Sequence, residues 1–72
     1  MVLNMENETD LLQSLRRIIE SYVADAEKKE ELLSEVVRPK VKYVLAELEK
    51  YRSHEITEAD REIIKDLFFH FC

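Results

Sequence analysis

The chain has 72 residues, 16 acidic against 11 basic side chains, a formal charge of −5, no glycine, one proline and one cysteine. A chain of this length makes one domain, and a domain so small hides only about 60% of its unfolded surface; the negative charge works against nonspecific binding to nucleic acid or anionic membranes. The lack of glycine removes the φ > 0 turns and phosphate-cradling loops of hairpins and nucleotide sites, and it fits helices joined by tight connections.

No apolar run approaches the ~20 residues of a membrane-spanning helix. The opening residues, MVLNMENETD, are acidic where a signal peptide is basic, so the expected location is cytoplasmic. Cys72 alone makes no intrachain disulfide, in keeping with a reducing compartment.

Residues 1–8 show no periodicity and are expected to form a flexible N-terminus, with 9–72 a single helical domain. The first helix is predicted to start near Thr9 as N-cap, with Asp10 in its first turn. Leu11, Leu12, Leu15, Ile18, Ile19, Tyr22, Val23 and Ala26 then fall within an arc of roughly 140°. The pattern lapses from Asp25 to Glu31. Asp25 is placed to cap a second helix with Glu27 in its first turn, yet the residues AEKKEE form helix well, and one continuous helix from Thr9 to Arg38 stays open.

Leu32, Leu33, Val36 and Val37 precede Pro39 at helical spacing, and Val41, Val44, Leu45, Leu48 and Tyr51 follow it. The second stripe is rotated by roughly 85° from the first on a continuous helix, so one straight helix cannot bury both. Proline inside a helix costs about 3 kcal/mol. A break or kink is therefore expected near Arg38, with Pro39 in the first turn of the second piece. The last helix is marked by Thr57 and Asp60 as a capping box with Ile56 as staple. Its expected buried face is Ala59, Ile63, Ile64, Leu67, Phe68 and Phe71, and Glu58, Glu62 and Asp66 line its polar face. The fold class is all-α, a small bundle of three helices whose middle helix is broken or kinked at Pro39, which gives four helical pieces if it breaks.

Candidate chemistry finds little support. His54 in HEITE lacks the second histidine of a helical zinc motif, and His70 with Cys72 offers two ligands only. Di-iron bundles need Glu-x-x-His pairs, which are absent, and Glu27, Glu30 and Glu31 are the nearest approach to a Mg²⁺-binding acidic motif. Ser14, Ser21, Ser34 and Ser53 have no glycine elbow. No catalytic residue, cofactor or metal site is expected.

The terminus DLFFHFC carries the positive signal. On a helical wheel Phe68 and Phe71 lie toward the core and Phe69 almost opposite, and an exposed aromatic beside other apolar groups marks an interface. The expected contact surface is Tyr43, Leu48, Tyr51, Phe68, Phe69 and Phe71; Arg38, Lys40 and Lys42 form the one basic cluster, a candidate for anion or nucleic-acid contact. These features predict a small intracellular, non-catalytic protein-interaction module that forms a homodimer or binds a protein partner, with no membrane role. One alternative is a DNA-associated regulator, because Pro39–Arg52 and Thr57–Phe71 have a helix-turn-helix outline, although Glu58 and Asp60 would meet phosphate before Arg61. Another is an acidic mimic occupying the basic site of a nucleic-acid-binding protein.

Overall fold

Four α-helices follow one another in the computed structural model, which describes residues 8–72. They are α1, Glu8–Tyr22; α2, Ala26–Ser34; α3, Val41–Tyr51; and α4, Glu58–Phe71, with a short 3-10 turn, Arg38–Lys40, leading into α3. The expected loose N-terminus lies outside the described residues except for Glu8, which is helical. Helix α1 thus begins one residue ahead of the predicted cap and holds Thr9 in its first turn.

The apolar stripe of α1 is buried as its spacing predicts, through Leu11, Leu15, Ile18, Ile19 and Tyr22. Ala26, expected on the same stripe, is exposed and opens α2 instead. Two local interactions end α1 there. The Tyr22 carbonyl accepts from the Ser53 N–H at 2.7 Å, and Val23 makes an isolated antiparallel bridge with Arg52, so the backbone leaves its helical path. Asp25 then caps α2, its Oδ1 accepting from the N–H groups of Glu27 at 2.9 Å and Lys28 at 3.3 Å. The cap satisfies donors that a helix start leaves orphaned. A single helix from Thr9 to Arg38 does not form.

The middle segment is two helices with a true break, set slightly earlier than Arg38. Helix α2 ends at Ser34, Glu35 is its C-cap, and Val37 is extended at φ −137°, ψ 154°. A helical Pro39 would press its ring on the carbonyl four residues back, which is that of Glu35, so the helix stops there. Pro39 itself sits in the 3-10 turn, where no donor is missed. The change of direction brings both stripes inward: Leu32 and Val36 from before the break, Val41, Val44, Leu45 and Leu48 from after it, are all buried.

Side-chain tethers set the directions of the helices. Tyr22, at the end of α1, reaches Thr57 and Asp60 at the start of α4, so these two packed helices run antiparallel. Arg61 of α4 pairs with Glu49 near the end of α3, which makes that pair antiparallel too. Arg38 pairs with Glu8 at 3.0 Å. One end of the bundle therefore gathers the start of α1, the Pro39 turn, the first turn of α3 and the last turn of α4.

No polar or charged residue is buried among the described residues. The radius of gyration is 11.7 Å, near the ~11 Å of a compact chain this long. Most of the apolar surface is thus hidden within one protomer, and the excess expected from the sequence is confined to a few aromatic side chains.

Candidate functional site

The last turn of α4 presents the aromatic cluster. Leu67 is fully buried, Phe71 is half-buried against the core, Phe68 is 44% exposed and Phe69 is 91% exposed. Phe69 follows Leu67 by two residues, about 200° around the helix, so the packing that buries one points the other to solvent. Leaving an aromatic ring that exposed forgoes roughly 1.5–3 kcal/mol of burial.

The remaining expected contact residues divide. Leu48 is fully buried, a correction to its place on the contact surface: it lies one turn from Val44 and Leu45 on the same inward stripe and belongs to the core. Tyr51 is half-exposed and partly used within the chain, since the Lys28 ammonium stands 4.6 Å from its ring centre. Glu47 holds that lysine at 3.1 Å, and the pairing keeps the Glu47 carboxyl below its usual pKa. Tyr43 is half-exposed and, with Glu35, Pro39 and Lys40, walls an open hollow of about 350 Å³.

The basic cluster borders this hollow, and its members are not equivalent. Arg38 is held by Glu8 at 3.0 Å, and Lys40 by Glu35 at 2.7 Å, an ion pair that raises the pKa of Lys40. Lys42 is exposed and has no ion pair among the described residues. Two of the three cations are thus offset by carboxylates of the same chain. Asp66, on the outer face of α4, is likewise exposed without an ion pair among the described residues.

At the opposite end lies a polar cluster that sequence spacing does not reveal. The Tyr22 hydroxyl donates to Asp60 Oδ2 at 2.7 Å and accepts from the Thr57 N–H at 3.1 Å. Arg17 donates to Asp60 Oδ1 at 2.9 Å, and Thr57 Oγ1 accepts from the Asp60 N–H at 3.2 Å. The predicted capping box is therefore completed on one side only, because the Asp60 carboxylate turns to Arg17 and Tyr22 while the tyrosine hydroxyl serves the Thr57 N–H in its place. The Arg17 guanidinium first, and the Tyr22 hydroxyl second, hold the Asp60 carboxyl below its usual pKa. The available signal was Asp60 itself, the one acid interrupting the apolar face of its helix.

His54 stacks on the Tyr22 ring at 4.6 Å between centres, and its Nδ1 lies 2.9 Å from Ser53 Oγ. A serine beside a histidine suggests nucleophilic chemistry, but the carboxylate that would orient the imidazole is engaged elsewhere. The cluster reads as a clamp joining α1 to the start of α4. Among the described residues no three His, Cys, Asp or Glu side chains converge as metal ligands, and no helix is long and apolar enough to cross a membrane. No family, curated protein or solved structure matches the chain.

Proposed function

We propose that this chain is a small, non-catalytic interaction module that self-associates through the aromatic end of α4. The observation that carries the proposal is Phe69, 91% exposed on a helix whose neighbouring Leu67 is fully buried. Phe68 and Tyr43, each half-exposed at the same end of the bundle, extend the apolar surface. Aromatic rings gathered on an otherwise charged exterior are the composition of interface centres.

A DNA-associated role draws less support from the geometry. Six residues separate α3 from α4, against the three or four of a compact helix-turn-helix. The helix that would enter the groove begins with Glu58, and Arg61 is already paired with Glu49.

Light scattering after size exclusion tests the proposal. The wild-type chain is expected at twice its monomer mass at micromolar concentration, and Phe69→Glu at monomer mass with an unchanged far-ultraviolet CD spectrum. A wild-type monomer at millimolar concentration would remove self-association from consideration.

A further inference from the structure

A pair of identical contacts related by a two-fold axis needs a projecting group and its receptor on one protomer, both facing the same way, so that each copy supplies both halves. The chain carries such a set at one end of the bundle. Phe69 projects from the last turn of α4, and the hollow walled by Pro39 and Tyr43 opens beside the first turn of α3, which packs antiparallel to α4. Resting on the self-association proposed above, we infer that two copies dock reciprocally: Phe69 of one protomer enters the hollow between Pro39 and Tyr43 of its partner, and Asp66 of the first faces Lys42 of the second.

Charge complementarity supports this occupant over an unrelated one. Asp66 lies three residues before Phe69 and so shares its side of α4, while Lys42 adjoins Tyr43 on the first turn of α3. Both are exposed, and neither has an ion pair among the described residues. The hollow's own charges, Glu35 and Lys40, neutralise each other at 2.7 Å, which leaves its wall apolar in effect. A ring entering there meets the proline ring and the tyrosine face, surfaces suited to aromatic contact.

Area sets the extent of the contact. A stable interface buries roughly 800 Å² on each partner, about a sixth of the protomer's 4782 Å². One phenylalanine supplies about 150–250 Å², so the hollow lining, Phe68 and the flanking charges must all take part. The contact cannot be Phe69 alone.

A charge-reversal cycle followed by sedimentation equilibrium tests the arrangement. Lys42→Glu and Asp66→Lys should each raise the dimer dissociation constant about tenfold, because the pair occurs twice and becomes repulsive; together they should return it to within about threefold of wild type. Tyr43→Ala should weaken the dimer by at least about fivefold with the CD spectrum unchanged. A dimer whose affinity ignores the charge reversals overturns this docking while leaving self-association standing. Open-ended polymers that grow with concentration overturn the two-fold arrangement. A wild-type chain that stays monomeric removes both.

Discussion

The hydroxyl of Tyr22 stands 2.7 Å from Asp60 Oδ2 and accepts the Thr57 N–H from 3.1 Å, so the last residue of one helix finishes the cap of another. The ring that carries this hydroxyl is buried, and the same residue's carbonyl holds Ser53 at 2.7 Å. One side chain and one peptide thus join three parts of the chain: α1, the loop before α4, and the first turn of α4.

Tyr22→Phe should keep the ring and its stack on His54 while leaving the Thr57 N–H without its partner. Stability should fall by about 1–3 kcal/mol, the cost of an orphaned buried donor. Urea unfolding of the variant beside wild type checks this, and a midpoint change below about 0.5 kcal/mol would mean that the hydroxyl contributes nothing.

The depressed Asp60 carboxyl makes stability depend on acid in a defined direction. A carboxylate with a lower pKa folded than unfolded stabilises the fold above its unfolded value, near 4, and that contribution is lost as pH falls through the lower folded value. Glu47 and Glu49, held down by Lys28 and Arg61, act in the same sense. Wild type should therefore lose stability below about pH 4. Asp60→Asn should be weaker at neutral pH but decline less steeply, which urea midpoints at about pH 7 and about pH 3 will show. Parallel declines would count against Asp60 as a titrating contributor.

Pro39→Ala should not fuse α2 and α3. The two stripes need the change of direction to reach the same core, and Val37 is already extended ahead of the proline. Because Pro39 occupies a position that suits its ring, its loss should cost about 0.4–1 kcal/mol through a freer unfolded chain. A gain in helicity by CD, together with a gain in stability, would show instead that the proline alone imposes the break.

Leu48→Ala and Phe69→Glu should separate folding from association. The first removes a fully buried side chain and should cost about 2–5 kcal/mol, a large share of the ~4–11 kcal/mol available to a domain of this size. The second should cost no more than about 1 kcal/mol, mostly because an acid in the last turn opposes the helix dipole. Thermal unfolding of the two variants in dilute solution, where association is absent, provides the comparison. Equal losses would mean that Phe69 is also packed within the protomer.

What could be read from residue order was the local part. The α1 stripe, the Asp25 and Thr57 caps, the placement of Pro39 in a first turn and the outward turn of Phe69 all follow from interactions within one helical turn, which spacing alone specifies. Three things waited on the tertiary structure: the end of α1 at Tyr22, the burial of Leu48, and the clamp from Arg17 and Tyr22 to Asp60. The physical reason is common to all three. Helical periodicity says which side chains share a face, but whether that face meets a core, water or another copy depends on residues far away in the chain, and the clamp joins positions 38 and 43 residues apart.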